Sequence, residues 1–203
     1  MFVNLTKLTK LTKLTKEAHK FELIIADIDD HTIITSRQWL VSIGNEFVPN
    51  KVKALIMELA GFLPPADTVY KIGKDIEAEN ITSTCLTTIT RLIKNAELSN
   101  IKFSVTPVID DRYAPVRLLQ NTQTSQIAAI PENQYQMIDK NCIDYEIEGE
   151  PTGPCSNVNT GPLYWFNSIG LVMIAASNLA ASNPLLKALT AVDFSEDQNK
   201  PED

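Results

Sequence analysis

The chain has little of the chemistry that metal sites and nucleophilic catalysis require. Its 203 residues include two histidines and three cysteines, and the cysteines (Cys85, Cys142 and Cys155) form no C-x-x-C pair. Structural zinc sites need clustered cysteine and histidine ligands, usually in closely spaced pairs, so we predict no metal site. Unclustered cysteines in odd number favour free thiols in a reducing compartment, although Cys142 and Cys155 could close a loop through a disulfide.

Glycine is also sparse, and the motifs that depend on it are missing. The seven glycines are scattered, and the sequence contains no P-loop, no G-x-G-x-x-G and no G-x-S-x-G. Such motifs hold phosphates against backbone amides or expose a nucleophilic serine. Without them the sequence predicts no cofactor and no catalytic residue set.

Positive charge is in deficit over the whole chain. The net charge is −7 and the isoelectric point is about 4.9. Nucleic-acid binding needs net positive patches, so we expect no specific nucleic-acid binding.

An apolar content of 44% is enough for a sizeable core and excludes a wholly disordered chain. Residues 1–20 lack the continuous apolar stretch of a secretion signal, so we expect a cytoplasmic or virion location.

Basic residues are concentrated in residues 1–20, which carry +4 and a fourfold Leu-Thr-Lys repeat. A three-residue step turns about 300° on an α-helix, so the repeated leucines drift around the helix instead of forming one stripe. One interpretation is a basic arm that meets an acidic partner surface, a membrane or nucleic acid. Its candidate interaction residues are Lys7, Lys10, Lys13 and Lys16. The other, which we favour, is a short, locally duplicated arm that is flexible or weakly helical.

Residues 21–150 have the pattern of an α+β domain. The runs 21–28 and 32–43 are rich in β-formers and flank a short polar connector, which predicts a β-hairpin. An amphipathic run begins after Pro49 and stops at Gly61, which predicts a helix with Asn50 as its N-cap. The remaining predicted elements are a second helix over about residues 75–96, strands over 101–108 and 143–147, and a proline- and glycine-rich loop over 151–162.

Formal charge is absent from the 36 residues between Glu150 and Lys187. Within them, residues 163–181 are mostly apolar and long enough to cross a bilayer as a helix. Four polar residues argue against lipid, because a polar group in hydrocarbon needs a partner: Asn167, Ser168, Ser177 and Asn178. A helix uncharged on all sides must still be covered. We therefore predict an apolar helical segment over residues 163–192, buried in protein, with membrane anchoring through residues 163–181 as an alternative.

Three aromatic residues, Tyr164, Trp165 and Phe166, open this segment. Aromatic side chains are enriched at the centres of protein interfaces, so we count these three among the candidate interaction residues. The alternative is that they anchor the segment in the core of its own domain.

Residues 193–203 form an acidic tail with a net charge of −4. Opposite charges at the two ends suggest that the arm of one subunit docks near the tail of the next. Such a head-to-tail contact is heterologous, builds rings or filaments, and should weaken as salt is raised. The alternative is that both ends are solvated and keep the protein soluble.

A single short motif resembles a catalytic one. The apolar run 23–26 is followed by Asp27-Ile28-Asp29, which resembles the first motif of the haloacid-dehalogenase-like phosphotransferases. The resemblance implies that Asp27 is a nucleophile, that Asp29 is an acid/base, and that Mg²⁺ is bound with the help of an acidic pair such as Asp110-Asp111. The alternative is an acidic hairpin turn, since the glycine of the family motif is missing.

Taken together, these patterns predict an α+β protein with a hairpin and short strands packed against two to three helices, a flexible N-terminal arm and a flexible C-terminal tail. We expect a non-enzymatic structural or assembly subunit, for example a component of a virion or a phage tail. Its expected partners are copies of itself or other subunits of the assembly. The alternatives are the Mg²⁺-dependent phosphotransferase and the membrane-anchored subunit.

Overall fold

The computed structural model describes residues 1–18, 22–74, 76–159, 161–178 and 184–194. Within these ranges twelve β-strands join in one sheet, and helices cover both of its faces. The helices are α1 (Leu5–Glu17), α2 (Asn50–Ala60), α3 (Thr82–Glu97), α4 (Glu132–Tyr135) and α5 (Pro184–Thr190). The strands are β1 (Leu23–Ile28), β2 (His31–Thr35), β3 (Trp39–Gly44), β4 (Thr68–Gly73), β5 (Ile76–Asn80), β6 (Ile101–Asp110), β7 (Val116–Asn121), β8 (Ile127–Pro131), β9 (Thr152–Ser156), β10 (Leu163–Phe166), β11 (Gly170–Ile174) and β12 (Ser177–Asn178).

The sheet has the strand order β12-β8-β7-β6-β9-β10-β11-β3-β2-β1-β4-β5, and the pairings between the described strands are all antiparallel. The ten-residue strand β6 connects its two parts. It pairs with β9 at Ile101 and Lys102, and then with β7 over the rest of its length. Pro107 lies where the β6–β7 register shifts, beyond the pairing with β9, so its missing N–H removes no regular ladder bond.

Both faces of the sheet are apolar because each face is covered. On one face, Leu23 and Ile25 of β1 belong to a core cluster that includes leucines of α1 and Ile56 of α2. On the other face, Ala26 of β1 packs in a cluster with residues of α3. Alternate side chains of a strand point to opposite faces, so a doubly covered strand has apolar residues at consecutive positions.

The expected α+β arrangement of a hairpin with two to three helices is wrong, because the described residues form mainly this large antiparallel sheet. The largest error is the C-terminal segment. Leu163–Phe166 and Gly170–Ile174 form β10 and β11 in the middle of the sheet, and β12 follows; of the described residues in this segment, only Pro184–Thr190 are helical. The sequence of a strand buried on both faces is a continuous run of apolar residues. The periodicity of its hydrophobic residues alone does not distinguish such a run from a buried helix.

The expected flexible N-terminal arm is also wrong. Residues 5–17 form helix α1, and its buried stripe consists of two leucines and two threonines: Leu8, Leu11, Thr12 and Thr15. These positions follow the i, i+3, i+4, i+7 spacing of an amphipathic helix. Each buried threonine hydroxyl donates to a carbonyl one turn earlier, at 2.8 Å for Thr12 and 2.9 Å for Thr15, so its burial leaves no donor unpaired. Asn4 caps the helix by accepting from the backbone N–H groups of residues 6 and 7.

Of the local predictions, the hairpin and the helix that ends at Gly61 are confirmed, and the others are wrong in part or in full. The hairpin is β1–β2, although the second apolar run divides into β2 and β3. The helix ending at Gly61 is α2, and Gly61 has the left-handed φ of 83° expected of a C-terminal cap, but the N-cap is Pro49 and not Asn50. The second helix is shorter than expected because its first residues form β5. Residues 143–147 form no strand, and β9 occupies part of the loop expected over 151–162. The flexible tail was expected over residues 193–203, of which 195–203 lie outside the described ranges.

Candidate functional site

The outer surfaces of α1 and α2 carry most of the lysines of the N-terminal part of the chain. The lysines of α1 occur at every third position. They are distributed over the half of the helix that faces away from the sheet, because the buried stripe occupies the other half. Lys7, Lys10 and Lys13 are exposed, and Lys16 is half-buried. In α2, Lys51 and Lys53 flank the buried Val52.

Three contacts show that these two helices form one continuous surface. The Nζ of Lys51 donates to Oγ1 of Thr6 at 3.3 Å, and the Nζ of Lys13 pairs with Oε1 of Glu58 at 2.7 Å. The Nζ of Lys16 donates to the carbonyl oxygen of Leu59 at 3.2 Å. Lysines from both helices therefore lie side by side.

We call this surface the basic face; it comprises the outward side chains of α1 and α2. It has six lysines against two glutamates, Glu17 and Glu58, on a chain whose total charge is −7. Two exposed apolar side chains, Leu14 and Met57, lie on the same two helices. A positive surface of this kind suits an acidic partner segment.

The structure places the four lysines predicted from the sequence on this face, but three of them also contact the body of the protein. Lys7 donates to Oε1 of Gln136 at 2.9 Å, and Lys13 and Lys16 contact α2 as described above. Lys51, Lys53 and the exposed Met57 were missed. Their positions flanking the apolar stripe of a predicted helix indicate exposure, but nothing in the sequence places α2 beside α1.

The three aromatic residues predicted as interaction residues lie in β10, near the middle of the sheet. Tyr164 and Trp165 are buried, and Phe166 is half-buried. Trp165 faces the cluster that contains α1, whereas Tyr164 faces α3. They therefore act as core residues in this fold. The fully exposed aromatic side chain is Tyr113, in the loop between β6 and β7.

Asp27 and Asp29 lie at the β1–β2 hairpin. Asp27 accepts from Nδ2 of Asn45 at 2.9 Å, beside a cavity of about 220 Å³ that Lys53 also lines. Asp29 and Asp30 have φ values of 51° and 60°, which two-residue hairpin turns of type I′ require at both central positions. The ring Nδ1 of His31 lies 2.8 Å from the carbonyl oxygen of Asp29.

The acidic pair Asp110-Asp111 is distant from this hairpin. Counted along the sheet, strands β1 and β6 are six inter-strand steps apart, a path of about 29 Å. Asp110 is held by the guanidinium of Arg112, whose hydrogen bond lowers the pKa of this carboxyl group. The structure therefore does not bring together the residues that the phosphotransferase resemblance implies. That alternative stays a prediction, and loss of phosphatase activity in Asp27→Asn would be its test.

Two surveys of the described residues bear on the remaining alternatives. No group of three or more histidine, cysteine, aspartate or glutamate side chains in these ranges is placed to hold a metal ion. Among the described helices, none is both long enough and apolar enough to cross a membrane.

Comparison with models of protein families, with curated proteins and with solved structures finds no match to this chain. The function must be inferred from the chain's own residues.

Proposed function

We propose that the protein is a non-enzymatic assembly subunit whose basic face binds the acidic residues 195–203 of a second copy. The observation that carries this proposal is the charge of the basic face: six lysines on two adjoining helices of a protein that is acidic overall. Residues 195–203 contain four acidic side chains and one lysine. The two segments are therefore complementary in charge.

The position of Phe194 favours a contact between copies over one within a chain. Phe194 is buried in a cluster with Leu118 of β7 and residues of α5. The next residue of β7, Leu119, belongs to the cluster on the opposite face, together with leucines of α1. Phe194, the last described residue before the acidic segment, therefore lies on the side of the sheet opposite the basic face. This position favours the basic face of a second copy over that of the same chain.

This contact joins two different surfaces and is therefore heterologous, so it leaves one free acidic segment and one free basic face at each step. Repeated addition gives a closed ring or an open filament, depending on the rotation between neighbours. A component of a virion or a phage tail, the concrete case expected from the sequence, is built in this way from many copies.

The test is the mass of the purified protein in solution at low and at high ionic strength. Screening shortens the Debye length from about 30 Å at 0.01 M salt to about 3 Å at 1 M, so we expect oligomers at low salt and monomers at high salt. The double variant Lys10→Glu/Lys53→Glu should be monomeric under both conditions, because it reverses two exposed charges of the basic face.

A matched control reverses two charges on the opposite layer. Arg91 and Lys94 are exposed on α3, and Arg91→Glu/Lys94→Glu changes the net charge by the same amount. This control should still form oligomers at low salt. A wild-type protein that is monomeric at low salt, or a control that dissociates as fully as the basic-face variant, would contradict the proposal.

A further inference from the structure

A cavity of about 420 Å³ lies between α3 and the strands beneath it. Its walls are largely apolar and include Ile24 of β1, Met173 of β11, and Ile89 and Leu92 of α3. Leu92 belongs to the inner side of α3 but is only half-buried. The helix thus covers the sheet without filling the space below it. A cavity of this size can hold a small organic molecule.

Two of the polar side chains in the cavity wall, those of Thr35 and Ser36, already have partners within the chain. Oγ1 of Thr35 donates to the carbonyl oxygen of Trp39 at 2.8 Å, and Oγ of Ser36 accepts from the backbone N–H of Gln38 at 3.2 Å. Water in a cavity is held by two to four polar partners, and these groups are engaged elsewhere. The cavity therefore favours an apolar occupant over water.

The charged groups of the cavity lining are Glu22 and Arg37. Glu22 pairs most closely with Lys71, whose Nζ lies 2.7 Å from Oε1, and this hydrogen bond is the main cause of the lowered pKa of Glu22. Arg37 is 3.8 Å from the other oxygen of Glu22, and its side chain is 71% exposed. Lys71 also faces Glu79, its cross-strand partner in β5, so the two lysine and arginine charges are matched by two carboxylates. At 3.8 Å from Glu22, the guanidinium of Arg37 makes no hydrogen bond to it, and its N–H groups can donate to a carboxylate beside the apolar cavity.

We propose that this cavity binds one amphiphile that consists of an apolar chain and a carboxylate, with the chain between α3 and the sheet and the carboxylate at Arg37. The apolar walls account for the chain, and the exposed guanidinium of Arg37, which makes no hydrogen bond to Glu22, accounts for the carboxylate. The cavity is on the face of the sheet opposite the basic face, so this proposal is independent of the proposed assembly.

Cys85 provides a direct readout because it lines the cavity and is a free, half-buried thiol. In a Cys142→Ser background, which removes the exposed thiol, the rate of maleimide modification of Cys85 is measured while decanoate is added below its micelle concentration. We expect decanoate to slow the modification in a saturable way. The uncharged decanol should also protect Cys85, but only at higher concentration.

Two variants separate the charge from the cavity. Arg37→Gln should weaken protection by decanoate about tenfold, as expected for loss of a hydrogen bond to a charged group, and leave decanol unchanged. Arg91→Gln is the control, since Arg91 is an exposed arginine on α3 that does not line the cavity. Thr88→Trp places a large side chain in the cavity and should abolish protection by both compounds.

Circular dichroism establishes that each variant is folded before it is compared. A modification rate that decanoate leaves unchanged would overturn the proposal. Equal weakening of decanoate and decanol by Arg37→Gln would overturn the assignment of the carboxylate to Arg37. Because the solution mass is measured separately, failure of this proposal and failure of the proposed assembly are distinguishable.

Discussion

Leu8 and Leu14 occupy equivalent places in the Leu-Thr-Lys repeat, but the structure gives them opposite environments. Leu8 is fully buried against the sheet, whereas Leu14 is 54% exposed. Replacing either residue by alanine changes helix propensity by the same small amount, so the difference between the two variants isolates the burial of Leu8. Since neither the repeat nor the composition distinguishes these leucines, the pair tests the docking of α1 directly.

The expected magnitudes follow from burial. Leu8→Ala removes a side chain from a packed core and should lower the free energy of unfolding by about 3 kcal/mol. For a urea dependence of about 2 kcal/mol per M, the unfolding midpoint falls by about 1.5 M. Leu14→Ala should change the free energy of unfolding by no more than about 0.5 kcal/mol, as is usual for an exposed position.

Urea unfolding followed by tryptophan fluorescence measures both variants, because Trp39 and Trp165 are both buried in the sheet and become exposed on unfolding. Midpoints that shift equally in the two variants would refute the docked helix. Two unchanged midpoints would support a flexible arm instead.

Two further predictions concern other parts of the fold. Glu132→Gln should lower the free energy of unfolding by about 2 kcal/mol, because Glu132 makes two hydrogen bonds of 2.9 Å to the guanidinium of Arg117 and both side chains are largely buried. The control Glu150→Gln, which breaks an exposed pair with Lys140, should cost no more than about 0.5 kcal/mol, and equal shifts in urea midpoint would contradict this account. Burial raises the pKa of the Cys155 thiol to about 11, so at pH 8 only about one thiol in a thousand is ionised. Titration with a thiol reagent should therefore modify Cys142 rapidly and Cys155 only after unfolding; equal rates for all three cysteines in the folded protein would contradict the buried position of Cys155 in β9.

Local signals in the sequence account for the parts of the fold that were predicted correctly. The apolar stripe of α2 and the glycine that ends it are contained within a dozen residues, and so is the β1–β2 hairpin with its acidic turn. These elements need no information about the rest of the chain. Glycine at a left-handed position and two aspartates in a type I′ turn are local requirements of the backbone.

The errors arise where burial depends on distant residues. Strands β10 and β11 have no polar face because α1 and α2 cover one side of the sheet and α3 the other, and these helices come from the first half of the chain. Strand β11 pairs with β3, more than 120 residues earlier in the sequence. Helix α1 was misjudged because only its leucines were counted; Thr12 and Thr15 complete the stripe once their hydroxyls donate within the helix.

The candidate site was also predictable only where its signal is local in the sequence. The lysines of α1 were visible as a repeat, but the basic face also needs the lysines of α2, and only tertiary packing places the two helices together. The apolar cavity under α3 was not foreseen at all, because its walls come from β1, β2, β11 and α3.

The central claim, a contact between the basic face of one copy and residues 195–203 of another, can be tested by mixing two defective variants. The first is Lys10→Glu/Lys53→Glu, which lacks a functional basic face but keeps its acidic segment. The second is Glu196→Gln/Asp197→Asn/Glu202→Gln/Asp203→Asn, which neutralises all four acidic side chains of the segment but keeps its basic face. Each variant alone should have the 22.5 kDa mass of a single chain at low ionic strength.

Mixed in equal amounts, the two variants retain one functional surface each and can form a single heterologous contact. The account predicts a 1:1 complex with twice the mass of one chain, measured by analytical ultracentrifugation at low ionic strength, which dissociates when salt is added. A mixture that stays monomeric, or variants that form oligomers on their own, would contradict it.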